Sequence, residues 1–550
     1  MKLPLRFIPF KDPSDNVKPI IVDALASGKG MRRSTQDVIG AGPRTVAGVL
    51  EKKGLEPIIL PVEAFLDERF SSKKYDFLLV SGMTSDIPAI QRTVKKWRKN
   101  VLGPVVLGGP AASEPERLLR KTGGDIAVTG EGEESIDKLL DGGLYNGEIP
   151  DNLEEVLGIS YRRNKKIVVN PFKPVQLKKV FYDFFPSTES IKGYRLFESA
   201  RVYVEVVRGC SNYHRARIGS IGRSCSFCEQ CTESGLYERY DCPVGIPPGC
   251  GYCSVPSLYG PPKSRPSDLI IDEVSRLLEL GVHRVVLSAP GFLDYEREAF
   301  VEPLPLTDPR SPEPNYDEIE VLLDGLYELP KLMEGDASVM IENVKASLVT
   351  ERAARLLGKY LGGSPVSVGF ETGMDEHSKV LGRPDTPLET LVSLRRLKEA
   401  GMKPTVYFIH GLPGQSSDTV DETIHMIKKS MRYGADHVIL YRFQSLPLST
   451  FSESPSGLPV SQDPLSKRIY VAAQEANLNS KEALIGDRVR VVIAERYDRD
   501  RRFFVAYPML HGPVTLIQGE DFDSGDVITV RVSGISSERM VYGDVIEPKN

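Results

Sequence analysis

Short apolar runs ending in glycine or proline alternate with amphipathic stretches from about Lys18 to Leu140. The runs are Pro57-Ile-Ile-Leu-Pro61, Asp76-Phe-Leu-Leu-Val-Ser-Gly82, Pro104-Val-Val-Leu-Gly-Gly-Pro110 and Asp125-Ile-Ala-Val-Thr-Gly-Glu-Gly-Glu133. Such runs suit strands buried on both faces of a parallel sheet, and Ile87 to Asn100 and Glu114 to Lys121 read as the helices between them. The pattern predicts an α/β unit over residues 1–150, a doubly wound parallel sheet whose ligand crevice lies at the carboxyl ends of its strands. Residues 151–199 read as a linker carrying a small hairpin, Gly158 to Arg163 and Lys166 to Asn170.

A second alternation occupies residues 200–446. Its strands are predicted at Val202 to Val207, His283 to Ser288, Ala337 to Glu342, Val366 to Phe370, Thr405 to Gly411 and His437 to Tyr441, with helices such as Ser267 to Leu280 and Pro387 to Ala400. Six strands at crossover spacing predict an open, partial (βα)6 barrel. Residues 447–482 read as a Pro/Ser-rich linker, Pro447 to Pro464, and a helix, Ser466 to Ala476. Residues 483–550 change character, with five short strands beginning at Arg488, Arg502, Val514, Val527 and Met540 that predict a small closed β-barrel of oligonucleotide-binding type.

Composition is that of an ordinary globular chain: 41% hydrophobic, 26% charged, net charge -5. That charge gives no bulk electrostatic reason to expect nucleic acid. No run approaches a membrane span, and the start has proline and charge where a signal peptide's apolar region should be, so a cytoplasmic protein with no membrane partner is expected. All seven cysteines, Cys210, Cys225, Cys228, Cys231, Cys242, Cys250 and Cys253, fall in one window, with Cys-x2-Cys steps at 225–228, 228–231 and 250–253. Thiols at that spacing chelate metals, whereas cysteines used as small core hydrophobes would be scattered along the chain. The first follows a predicted strand directly, at the end of the barrel where active sites sit.

Arg208-Gly-Cys210 after the first barrel strand, and Gly249-Cys-Gly-Tyr252-Cys253-Ser-Val-Pro before a helix near Ser267, resemble the cluster loop of radical S-adenosylmethionine (SAM) enzymes. The resemblance implies that Cys210, Cys250 and Cys253 hold a four-iron four-sulfur cluster whose open iron binds SAM and cleaves it to a 5'-deoxyadenosyl radical. The family's usual spacing is Cys-x3-Cys-x2-Cys; here an insert of residues 211–249 intervenes and supplies Cys225, Cys228, Cys231 and Cys242 for a second iron-sulfur cluster or a zinc ion. A rival partition pairs Cys210 with Cys225 and Cys228. Val366-Ser-Val-Gly-Phe-Glu371-Thr-Gly, with Leu381-Gly-Arg383 and Gly401 to Gly414, is similar to the second half of these barrels, and by that resemblance Glu371 binds the SAM ribose. Tyr252 in the cluster loop and Ser288 at the end of the second strand are further SAM-binding candidates. Ile341-Glu-Asn343-Val-Lys345 ends the third strand and should face the substrate space.

The first domain resembles the cobalamin-binding domains fused to such enzymes, through Leu107-Gly-Gly-Pro110 and Thr129-Gly-Glu-Gly-Glu133. No histidine precedes His214, so either cobalamin binds without a protein imidazole or the domain binds something else. The last domain resembles a TRAM domain, with Arg496, Arg499, Arg501 and Arg502 as RNA-binding candidates among aromatic residues. Together these resemblances imply a radical SAM transferase, with transfer RNA and an electron-donor protein as partners. Its expected reaction is methylation or methylthiolation of a tRNA base. The alternatives are cobalamin-dependent radical methylation of a small molecule or protein, and a non-catalytic zinc- and RNA-binding protein.

Overall fold

The computed structural model of the protein describes residues 17–33, 35–172, 178–218, 225–519, 521–537 and 539–547. The chain divides into two units, one holding residues up to 33 with 42–172 and 190–193, the other holding 34–41, 173–189 and 194–550.

In the first unit a seven-stranded sheet runs in the order β2-β1-β3-β4-β5-β6-β7, with β1 Pro19–Asp23, β2 Ile58–Pro61, β3 Phe77–Ser81, β4 Val105–Gly108, β5 Ile126–Val128, β6 Ile159–Arg163 and β7 Lys166–Val169. The first five are parallel, as the apolar runs imply. The hairpin β6-β7 extends the sheet, pairing antiparallel with β5 through Ile126–Tyr161 and Val128–Ile159, so it is part of this unit's core. Ile159, Ser160 and Tyr161 are all buried in that pairing. The helix Ile87–Asn100 buries Ile87, Ile90, Val94 and Trp97, spaced three and four apart, and Trp97 Nε1 donates to the Gly103 carbonyl at 3.0 Å.

In the second unit six strand positions form the open barrel: β8 Arg201–Glu205, β9 Arg284–Ser288, β10 Ser338–Ile341 continued by β11 Asn343–Val344, β12 Pro365–Glu371, β13 Lys403–His410 and β14 His437–Arg442. All pairings between them are parallel. The third strand breaks at Glu342, between β10 and β11, and the sheet divides there. A short strand, Val38–Ile39, pairs parallel with the outer edge of β8.

Along β8 and β12 buried residues alternate with half-buried ones, Arg201, Tyr203 and Glu205 on the first and Ser367, Gly369 and Glu371 on the second. With period-two alternation, the buried set packs under the helices and the half-buried set lines the lumen.

The tail forms a closed five-stranded barrel in the order β15-β16-β17-β19-β18, with β15 Arg488–Arg496, β16 Phe503–Pro508, β17 Val514–Gln518, β18 Val527–Ser537 and β19 Met540–Glu547. It packs against the N-terminal ends of the larger barrel's strands. Ser338 Oγ donates to the Met509 carbonyl at 2.6 Å, Arg490 Nη1 to the Gly335 carbonyl at 2.7 Å, and the Arg284 guanidinium lies 5.4 Å from the Tyr507 ring centre. Asp37 ties this end together, with Arg201 Nε at 3.1 Å and Arg284 Nη1 at 3.3 Å.

Candidate functional site

Strand β8 leads through Val207–Arg208, which pairs antiparallel with Lys263–Ser264, so the long cysteine loop leaves and re-enters the barrel at one place. Gly209 has φ 89°, and a Cβ there would meet the Pro261 carbonyl oxygen at 2.2 Å, so only glycine allows the chain to turn into Cys210 so close to the returning strand. Backbone bonds then pin the loop: Cys210 N to Gly260 O at 3.1 Å, Gly249 N to His214 O at 2.9 Å, Gly251 N to Leu381 O at 2.8 Å and Cys253 N to Cys250 O at 2.8 Å. Asn212 joins both ends, its backbone N–H donating to Cys210 Sγ at 3.4 Å and its Nδ2 to Cys250 Sγ at 3.3 Å. The insert thus leaves the barrel end intact.

Cys210, Cys250 and Cys253 are half-buried free thiols. Burial raises the pKa of each, Cys253 to about 12, and the negative charges of Cys210 and Cys250 add to the effect at Cys253. Thiols close enough to repel one another as thiolates, in a desolvated place, are suited to a cationic metal group that binds all three in deprotonated form.

Cys225, Cys228, Cys231 and Cys242 line one separate pocket with Arg215, Arg217, Phe227 and Ile246. Cys228 is exposed and its thiol pKa is lowered, chiefly by the backbone N–H of Gln230, while burial raises that of Cys231. Arg215 is held behind this pocket by the carbonyls of Ile246, Arg239 and Tyr240 at 2.8, 3.2 and 3.0 Å. Among the described residues no group of three or more His, Cys, Asp or Glu is arranged to hold a single metal ion.

Beside the three-cysteine group, Glu371 ends β12 at a bulge and has φ 64°, a strained conformation for a residue with a side chain. Arg383 draws it toward Tyr252: Arg383 Nη1 donates to Tyr252 Oη at 2.8 Å and to Glu371 Oε1 at 3.2 Å, while Nη2 donates to the Gly369 carbonyl at 2.6 Å. A Cβ at Gly369 would meet Glu371 Oε1 at 2.4 Å, so glycine makes room for the folded-back carboxylate. Burial pushes the Glu371 pKa up, and the Arg383 charge opposes this. The buried Arg383 Nε has no acceptor among the described residues. A strained carboxylate and a buried donor without a partner fit a polar ligand such as the ribose and carboxylate of SAM. Arg383 was not among the site residues expected from sequence, although it stands in the quoted Leu381-Gly-Arg motif.

Ser288 turns toward the lumen, where its Oγ donates to Glu342 Oε2 at 2.9 Å. Burial raises the Glu342 pKa. Across the lumen, Tyr407 Oη and Ser367 Oγ are 2.6 Å apart, and the Tyr407 and Tyr441 rings lie 5.5 Å apart. This is a polar, aromatic chamber below the cysteines.

On the small barrel, Arg502 is engaged by Asp500, with Nη2 to Oδ2 at 2.7 Å, and Arg501 lies 3.9 Å from Asp498. Arg496 covers the Phe504 ring at 4.5 Å and donates to the Arg501 carbonyl at 3.0 Å. Arg499 is exposed. Local carboxylates therefore pair with Arg501 and Arg502.

In the first unit, Gly108 ends β4, and a Cβ there would touch nothing within 4 Å, so the sheet is open at that strand end. Asp23 at the end of β1 is buried with Arg32 at 3.8 Å. The residues present fit a corrinoid held without a histidine ligand. No helix among the described residues is long and apolar enough to cross a membrane.

The sequence matches the Radical SAM superfamily over residues 241–427 and the B12 binding domain over residues 30–140. An uncharacterized protein of Methanopyrus kandleri is 38% identical over 96% of both chains. A tRNA-2-methylthio-N(6)-dimethylallyladenosine synthase of Acinetobacter baumannii is 21% identical over 54% of this chain and 58% of its own. Among solved structures, the radical S-adenosylmethionine methyltransferase TsrM from Kitasatospora setae, with cobalamin and a four-iron four-sulfur cluster bound, superposes with a TM-score of 0.57 at 14% identity, covering 79% of this chain and 74% of that one, which shows a shared fold. These matches set aside the non-catalytic reading: the chain belongs to the radical SAM superfamily, as a radical SAM enzyme with a B12-binding domain, in one family with the Methanopyrus kandleri protein.

Proposed function

We infer that the protein is a cobalamin-dependent radical SAM transferase that methylates a small molecule or a protein. The observation that carries this reading is the B12-binding domain on a sheet whose strand ends leave open space at Gly108 and offer no histidine, in one chain with the radical barrel. When bound, the cluster and SAM supply reductive cleavage of the sulfonium, and a corrinoid supplies a methyl carrier. Cys210, Cys250 and Cys253 hold the cluster, which an electron-donor protein reduces. Glu371, Tyr252 and Arg383 orient SAM. Ser288 and Glu342, with Tyr407 and Tyr441, accept hydrogen bonds from the substrate or donate to it in the lumen. The four insert cysteines, which line one pocket, hold a second iron-sulfur cluster or a zinc ion. The domain divisions at residues 199, 446 and 482 are retained as part of this proposal, whereas the hairpin belongs with the first domain, whose sheet it completes.

TsrM has been solved with a tryptophan substrate, and its fold resembles this chain's over most of the length. The placement of the small barrel also favours a small-molecule or protein substrate. It packs at the strand N-termini, the end opposite the cysteines, and its arginines are partly compensated there. The second reading, modification of a tRNA base with the small barrel acting as a TRAM domain, draws on the distant methylthiotransferase relatives and on the closed five-stranded topology.

The two readings separate in one experiment, in which anaerobically purified protein is assayed for cobalt and corrinoid and titrated with total tRNA. Stoichiometric corrinoid without salt-sensitive tRNA binding is expected. Tight tRNA binding by protein that retains no corrinoid on reconstitution would overturn the first reading in favour of the second.

A further inference from the structure

Behind Cys210 lies a buried ionic network that the SAM site does not use. Lys345 follows β11, Asp294 and Arg297 follow β9, and Ser211 is the neighbour of Cys210 in the chain. Lys345 Nζ donates to Ser211 Oγ at 2.9 Å and to Asp294 Oδ2; Ser211 Oγ donates to Asp294 Oδ1 at 3.0 Å. Arg297 Nη1 also donates to Asp294 Oδ1, and its remaining donors reach the Pro312 carbonyl, Nε at 3.0 Å and Nη2 at 2.5 Å. Side-chain exposure is 9% for Lys345, 1% for Asp294 and 0% for Arg297.

A lysine is buried only when paired, and here two cations share one carboxylate. The network thus carries one surplus positive charge next to the first cysteine of the cluster loop. Gly291 makes room for it, since a Cβ there would lie 3.2 Å from Lys345 Nζ. The ion pair with Asp294 keeps the buried Lys345 side chain as an ammonium.

We propose that Lys345, fixed by Asp294 and Ser211, is a positioning residue that acts through Cys210 to raise the reduction potential of the cluster held by Cys210, Cys250 and Cys253. An electron added to a thiolate-bound cluster increases its negative charge, and a desolvated cation nearby stabilises the reduced form. The N–H···S bonds from Asn212 act in the same direction. The proposal rests on the assignment of those three cysteines to the radical cluster.

The test is an EPR-monitored redox titration of the reconstituted holoenzyme without SAM, so that a role in SAM binding would not move the result. Lys345→Gln, which keeps a donor to Ser211 and Asp294 but loses the charge, should shift the equilibrium toward the oxidised cluster about tenfold, or about 59 mV for one electron. Lys345→Arg should stay within about threefold of the wild type. Asp294→Asn, which leaves more surplus charge, should move the potential the other way. An unmoved potential in Lys345→Gln with full iron content overturns the proposal, as does a shift of equal size in Lys345→Arg. Should Lys345→Gln fail to fold, Asp294→Asn decides, and a shift to lower potential there overturns it. Failure of the cysteine assignment looks different: Cys250→Ala with Cys253→Ala would then retain the SAM-responsive cluster.

Discussion

Replacing Arg383 by methionine removes the cation that faces Glu371 and Tyr252. The side chains of Arg383 and Glu371 are 8% and 13% exposed, so water compensates little of the loss. Breaking one partner from a buried pair costs about 3–5 kcal/mol, and the lost bonds to Tyr252 at 2.8 Å and Gly369 at 2.6 Å fall within that figure, because effects in one network do not add. The cost should depend on pH in a definite direction. The Glu371 pKa is already raised by burial, and without Arg383 it rises further. A carboxyl whose folded pKa is above its unfolded value loses stability as pH rises through the folded value, at about 1.4 kcal/mol per unit of displacement. Arg383→Met should therefore be more destabilised at pH 8 than at pH 5.5, and the further change Glu371→Gln should recover much of the difference. Hydrogen exchange of peptides spanning residues 365–385, corrected for intrinsic rates, reads the local opening energy without assuming two-state unfolding of the whole chain. Equal destabilisation at both pH values, with no recovery in the double variant, would refute the reasoning.

Asp37→Ala leaves Arg201 and Arg284 facing each other at the end of the barrel, and should cost about 3–5 kcal/mol in denaturant unfolding of the second unit. The Asp37 pKa is held below its ordinary value by those arginines, against burial, so the stability it contributes is present above the unfolded pKa and is lost as pH falls through the folded one. The variant should accordingly show a flatter acid limb, measured by melting temperature from pH 3 to 6. Arg499→Glu with Arg501→Glu, on the small barrel, should leave SAM cleavage unchanged, since that barrel packs at the opposite end of the strands from the cysteines. A loss of cleavage in well-folded variant would contradict that placement.

The barrel strands were legible because each is an apolar run closed by a polar or glycine residue, and the observed β9, β12 and β14 lie within two residues of the expected spans. The five strands of the tail were legible for the same reason. Partners distant in sequence were not. The hairpin β6-β7 reads locally as a free ribbon, yet it completes a sheet through pairing with β5. Val38–Ile39 is too short to show a period, and Asp37 beside it gives no local sign that it meets two arginines more than 160 residues away. The third barrel strand was expected to run unbroken to Glu342; the structure breaks it there and sends the carboxyl into the lumen. At the site, cysteine spacing carried the metal chemistry, whereas the contact of Arg383 with Tyr252 spans 131 positions and is visible only in three dimensions. Ser288, proposed from its place at a strand end, is bonded to Glu342.

The division of the seven cysteines into a radical cluster and an insert site is tested most directly by EPR of the dithionite-reduced enzyme titrated with SAM, in two variants. With Cys225, Cys228, Cys231 and Cys242 all replaced by alanine, a SAM-perturbed cluster signal and SAM cleavage should persist while iron falls by about half. With Cys210, Cys250 and Cys253 replaced, both should vanish while the insert keeps its metal. A SAM-perturbed signal lost from the insert variant, or one that survives in the Cys210, Cys250 and Cys253 variant, would contradict the assignment on which the site is built.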